Sequence, residues 1–175
     1  DGRIAVIPFC PILCFALSLI KAHRKNRLMQ FRSPSNPKIT SPDGKLAVSF
    51  LLEDGVPRYT ISKGDQIVID TSRLGYRFHN MPDMDRGFEL LEASTESYHE
   101  TWVQPWGEEK TITNHYNQLS IQLRNPTENL HLNLIFRAFN DGIGFRYEIP
   151  QQSSYNSIEI TSEGTEFNFT GNHKA

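Results

Sequence analysis

"LHLNLIFRAF", residues 130–139, is the stretch whose reading decides the fold. Leu130, Leu132, Leu134 and Phe136 recur at every second position, with His131, Asn133, Ile135 and Arg137 between them. Successive side chains of an extended chain point to opposite sides, so this pattern lays one apolar face against a core. An amphipathic helix would instead space its apolar residues three and four apart.

Outward from this stretch the same period continues in both directions. Upstream, "LSIQLR" (119–124) alternates Leu119, Ile121 and Leu123 with Ser120, Gln122 and Arg124, and "NPTEN" supplies a turn before Leu130. Downstream, "NDG" precedes "IGFRYEIP", which alternates Ile143, Phe145, Tyr147 and Ile149. Earlier, "SPDGK" forms a turn into "KLAVSFLLE", where Leu46, Val48, Phe50 and Leu52 share a face. "YTISKGDQIVI" reads as two strands around the short loop Lys63-Gly64-Asp65, "LGYRF" alternates Leu74, Tyr76 and Phe78, and "SIEI" and "FNF" add short strands near the end. "RGFELLEASTE" (86–96) comes nearest to a helical stripe, yet it is short and closes in residues that also suit a strand. Many short strands separated by turn signals predict an all-β protein, an antiparallel β-sandwich or barrel with one face of each sheet toward a shared core.

Composition is consistent with that. The chain has 175 residues, a formal net charge of -2 and 11% aromatic residues. It is long enough for one globular domain with an appendage. The near-neutral balance gives no electrostatic basis for nucleic-acid binding, which calls for a basic face. The two cysteines, Cys10 and Cys14, sit in an apolar run. They make neither a zinc site, which needs four ligands, nor a disulfide scaffold.

Three regions are expected. Residues 1–22 read as a signal peptide or apolar segment: Arg3, an apolar run broken by Pro8 and Pro11, then Ala22 as a cleavage point. That reading implies a periplasmic or secreted bacterial protein. Leu13 before Cys14 and Phe9 before Cys10 are too large for a lipoprotein site. Residues 23–37 form a basic, Pro- and Ser-rich linker, and residues 38–175 form the β-domain.

The densest chemistry lies in "WVQPWGEEKTITNHYNQL", residues 102–119. Trp102 and Trp106 offer flat apolar platforms with a polar edge, suited to stacking on a sugar ring or to packing on another domain. Glu108 and Glu109 are neighbours, so on a strand they would point to opposite faces. They cannot by themselves flank a glycosidic bond, which needs two carboxylates about 5 to 9.5 Å apart. His115 has no nucleophile signature beside it, and the chain carries no nucleophile elbow, zinc-helix, phosphate-loop or dinucleotide motif. No catalytic and no metal-ligating residue is assigned. The stretch reads as a long polar and aromatic loop.

Two runs then carry a resemblance. "TWVQPWGEEKTITNHYNQL" followed by "FRAFNDGIGFRYEIPQQ", with "ITSPDGKLAVSF" upstream, resembles the N-terminal domain of glycoside hydrolase family 97. The resemblance runs from about Ile39 to His173. It implies a β-supersandwich akin to galactose mutarotase-like domains, packed in the parent enzyme on a catalytic (β/α)8 barrel, with a small C-terminal β domain after it. It implies an α-glucosidase or α-galactosidase parent acting on oligosaccharides, with the general acid and the nucleophile or base on the barrel. Calcium is implied for the parent enzyme, with one ligand donated by the N-terminal domain just after the region matching Gly171-Asn172-His173. No catalytic or calcium residue carries over onto residues 1–175, so the expectation is a domain that does not hydrolyse on its own. Trp106, Glu108, Glu109, Lys110, Asn114, His115 and Tyr116 are then expected to rim the pocket or meet the barrel. Two alternatives stand beside this: a free-standing carbohydrate-binding module, with Trp102 and Trp106 on sugar, and a periplasmic interaction domain.

Overall fold

The computed structural model describes residues 36–107, 110–152, 155 and 157–171. The expected signal segment, the linker up to residue 35, Glu108, Glu109, Asn172 and His173 lie outside the described residues.

Among the described residues eleven strands form: β1 (Lys38–Thr40), β2 (Leu46–Glu53), β3 (Val56–Lys63), β4 (Gln66–Arg73), β5 (Tyr76–Phe78), β6 (Glu89–Val103), β7 (Thr111–Asn125), β8 (Leu130–Ala138), β9 (Ile143–Glu148), β10 (Ile160–Glu163) and β11 (Asn168–Phe169). Every pairing is antiparallel. One sheet has the order β1-β2-β3-β4-β11, a second has β6-β7-β8-β9, and β5 with β10 makes a small ribbon. The all-β, antiparallel reading of the sequence holds, and the two sheets form a sandwich.

The alternation seen in the sequence becomes the core. Leu130, Leu132, Leu134 and Phe136 of β8 are buried, and register sets Phe136 beside Leu119, Leu134 beside Ile121 and Leu132 beside Leu123. From the opposite sheet come Val48 and Phe50 of β2 and Tyr59 of β3. Tyr59 meets Phe136 and Phe145 across the interior at ring separations of 6.2 and 5.4 Å, within the range of favourable tilted aromatic pairs. Its hydroxyl donates to the carbonyl of Glu166 at 2.8 Å, so this buried polar atom is satisfied.

Three elements depart from the sequence reading or sharpen it. The stretch nearest to a helix, 86–96, which also suits a strand, enters β6 at Glu89. β6 is the edge of its sheet, exposed along its whole length and bulged between Leu90 and Glu92, so no buried face disciplines its pattern. β3 begins at Val56 rather than Tyr59. Asp54 and Gly55, at φ 51° and 74°, form a two-residue turn of the type hairpins favour, joining the paired Glu53 and Val56. The third departure concerns the polar and aromatic window, which is mostly strand.

Candidate functional site

The window expected as a loop folds as the far end of the β6–β7 hairpin. β6 ends at Val103, β7 starts at Thr111, and the peptide N–H of Gln104 donates to the carbonyl of Lys110 at 3.0 Å to close the turn. Gly107 adopts φ 117°, a conformation that side-chain-bearing residues rarely take, which lets the chain reverse there. β8 pairs with β7 only as far as Asn117 opposite Ala138. Beyond that point six pairs, from Tyr98–Tyr116 to Val103–Thr111, continue as a two-stranded ribbon. At about 3.3 Å per residue the ribbon runs roughly 20 Å past the last β8 pair.

Alternation divides the expected site residues between two faces. Tyr98, Glu100 and Trp102 share a side with Ile112, Asn114 and Tyr116, while His99, Thr101 and Val103 lie with Thr111, Thr113 and His115. The second side continues the core-facing side of β7, on which Leu119, Ile121 and Leu123 are buried. Asn114 and Tyr116 are therefore brought together with Trp102, and His115 is turned away from them. Trp106 stands at the tip, 84% exposed, and Lys110 is exposed at the start of β7's return.

The first face is aromatic and hydrogen-bonded. Tyr98 stacks on Tyr116 with ring centres 5.1 Å apart and planes 25° apart. Phe139 packs on Tyr116 at 5.1 Å, and the Arg137 guanidinium lies 4.5 Å from its ring centre. Arg137 Nε also donates to Gln118 Oε1 at 2.9 Å, which fixes the cation over the ring. The Tyr98 hydroxyl donates to Glu100 Oε2, and this hydrogen bond holds the phenol above its ordinary pKa. A cleft of about 390 Å³ opens beside the ribbon, lined along it by Trp102, Ile112, Asn114 and His115 and across from it by Phe139 and Asp141 of the β8–β9 turn. On the second face His99 and His115 lie ring to ring at 4.5 Å, with the Thr101 and Thr113 hydroxyls 3.5 Å apart.

Tyr98, Glu100, Arg137 and Phe139 escaped the sequence reading. A signal for the first of these was present: Tyr98-His99 and His115-Tyr116 mirror one another about the turn, as do Thr101 and Thr113. Mirrored residues around a reversal are cross-strand partners, so the register was written in the sequence. Arg137 and Phe139 reach the site through the β7–β8 pairing, which no local pattern announces.

The arrangement offers apolar platforms, hydrogen-bonding side chains and a small cleft. Among the described residues no three His, Cys, Asp or Glu side chains gather to hold a metal ion.

Residues 39–175 match the glycosyl-hydrolase 97 N-terminal family. The chain belongs to that family. A family 97 enzyme from Pseudoalteromonas sp. strain K8, solved in complex with panose and with acarbose, superposes on this family 97 N-terminal domain with a TM-score of 0.73. The two are 34% identical, over 77% of this chain and 20% of that one. A β-arabinopyranosidase structure gives a TM-score of 0.69 at 25% identity, over 76% of this chain and 21% of the other. The retaining alpha-galactosidase of Bacteroides thetaiotaomicron is 27% identical over 109 residues, covering 62% of this chain and 16% of that protein. This family 97 N-terminal domain therefore spans about a fifth or less of the length of these relatives.

Proposed function

We propose that this is the non-catalytic N-terminal domain of an α-glycoside hydrolase and that its β6–β7 ribbon reaches the catalytic (β/α)8 barrel and rims the sugar pocket. The observation that carries the reading is the ribbon itself. A sandwich needs no hairpin running six pairs past its sheet, and this one ends in an 84% exposed Trp106. An exposed indole at the end of a projecting element suits contact with another surface, its body apolar and its edge polar. The relatives support a glycosidase: the named galactosidase, and the panose and acarbose complexes of the Pseudoalteromonas enzyme. An α-glucoside or α-galactoside is the proposed substrate class, and calcium is proposed for the parent enzyme through residues outside this chain.

The test is alanine substitution at Trp106, Glu108 and His115 in a full-length enzyme carrying this domain. The expected result is a lower kcat/KM with an unchanged melting temperature. Kinetics and stability both unchanged in all three variants reject the rim role.

A second reading has its own observation. Trp102 and Tyr98, 42% and 40% exposed, share one face with Glu100 and Asn114, which suits direct contact with sugar. Calorimetric titration of the chain with maltose, melibiose and maltooligosaccharides, with and without calcium, tests it. Binding abolished by Trp102→Ala supports a carbohydrate-binding role, and a folded protein that gives no heat rejects it.

A further inference from the structure

The arginine-lined cleft formed by β3, β4, β5 and β10 is separate from the ribbon. The strand ends around it explain its shape. β4 closes at Arg73, the chain passes Leu74 and Gly75, and β5 begins at Tyr76, which bridges back to Met84. Gly75 lies so close to the returning segment that a Cβ there would stand 2.8 Å from Asp85 Cα. This close approach sets Asp85 and Arg86 against the ends of β3 and β4. The resulting cleft has a volume of about 390 Å³ and is lined by four arginines, Arg58, Arg73, Arg77 and Arg86, with Asp85 and Glu166 as its carboxylates.

The two carboxylates are already engaged. Asp85 accepts both Nε and an Nη of Arg86, at 2.9 and 3.1 Å. Glu166 accepts the Arg73 peptide N–H at 3.1 Å, and its other oxygen lies 3.8 Å from Arg73 Nε. Arg77 approaches its neighbouring acid only to 4.0 Å, at Asp85 Oδ2. Arg58 Nε is buried without a hydrogen-bond partner and makes an ion pair with Glu53 Oε2 at 3.3 Å. The Arg58 side chain lines the cleft at 23% exposure, and an oxyanion supplies the acceptors that planar guanidinium groups match.

We propose that this cleft binds a small oxyanion-bearing ligand the size of one acidic sugar, a uronate or a sugar sulfate, through Arg58 and Arg77. The shared chemistry is a compact anionic group presenting two or more oxygens to two guanidinium groups. A neutral hexose lacks it.

The experiment is calorimetric titration of the full chain at low salt with glucuronate, inorganic sulfate and glucose. Glucuronate binds and glucose does not, and the binding weakens as chloride is raised. Glucuronate without sulfate identifies a planar carboxylate as the group read; both together identify oxyanion recognition in general. Arg58→Gln weakens the binding by about tenfold. Arg77→Gln, at a side chain 60% exposed, weakens it as well and serves if Arg58→Gln unfolds. The proposal is overturned by silence of the folded wild type toward both anions, by equal affinity for glucose, or by wild-type affinity in Arg77→Gln.

Discussion

Tyr98 and Tyr116 face each other across the β6–β7 ribbon at the point where β8 has ended, their rings 5.1 Å apart, one 40% exposed and the other buried. The pair ties the free edge strand to its neighbour just where the sheet loses its third strand. Cross-strand aromatic pairs contribute about 0.5–1.5 kcal/mol beyond burial. Tyr98→Ala is expected to cost about that much, and Tyr116→Ala, which also uncovers Phe139 and Arg137, about 3 kcal/mol or more. A double-mutant cycle in urea checks the coupling; strict additivity would show that the stacked rings do not interact.

Backbone strain is tested at Gly55. At φ 74° its Cβ would lie 3.1 Å from the backbone of Gly87 and Phe88, whose N–H donates to the Gly55 carbonyl at 3.0 Å. Gly55→Ala is expected to destabilise the domain by about 1–3 kcal/mol. Gly142→Ala, where nothing lies within 4 Å, is the control and should change stability by less than about 0.5 kcal/mol. Equal melting temperatures of the two variants would refute the argument.

Three groups give the stability a pH signature. Ser41 Oγ and the Lys45 peptide N–H both donate to Asp43, with the Lys45 ammonium 3.0 Å away, and the carboxyl falls to about 2. A depressed carboxyl stabilises the fold above its unfolded value of 3.8 and loses that contribution as pH drops toward about 2. Asp43→Asn should flatten acid unfolding in that window, followed by circular dichroism.

At the other extreme, burial pushes the Tyr147 phenol up to about 12, even though Thr165 and the Gly75 N–H hydrogen-bond to it. Its stabilising effect is complete below pH 10 and is lost as pH rises from there toward about 12. Tyr147→Phe should therefore shift alkaline unfolding to higher pH. Tyr59, raised by burial to about 12 as well, should keep part of the transition in place.

β6 makes a prediction about assembly. An exposed fifteen-residue edge strand is a template for pairing with another chain, and this one carries Glu89, Glu92, Glu96 and Glu100 along it. Antiparallel pairing of two copies about Glu96 would oppose Glu92 to Glu100. The triple variant Glu92→Thr, Glu96→Thr, Glu100→Thr should self-associate at concentrations where the wild type scatters as a smaller species. Identical light scattering would show that the glutamates do not guard this edge.

The sequence revealed what is enforced by burial and hid what is enforced by neighbours. Leu130 to Phe136 alternate because a core stands on one side, so β8 and β7 were readable residue by residue. β6 has no such constraint, and its leucines at 90 and 91 sit at a bulge, so the same period vanished there. At the candidate site, Trp102, Asn114, His115 and Tyr116 stand out by their density, but a list has no faces. Only the register through Tyr98 and Tyr116 sorts them, sending His115 to one side and Tyr116 to the other. The four cleft arginines, spread from 58 to 86, were invisible because the topology gathers them.

The ribbon also has a mechanical meaning. It is anchored near its base by Asn117, whose amide donates to the Thr40 carbonyl at 2.8 Å, and by the Arg137–Gln118 bond, while its tip lies roughly 20 Å away. Over that arm a tilt of about 5° at the base carries Trp106 through nearly 2 Å, which under the proposed rim role is the scale on which a pocket admits or refuses a substrate. Substitutions at Thr40's neighbours or Gln118, far from any sugar, would then be felt as changes of leverage.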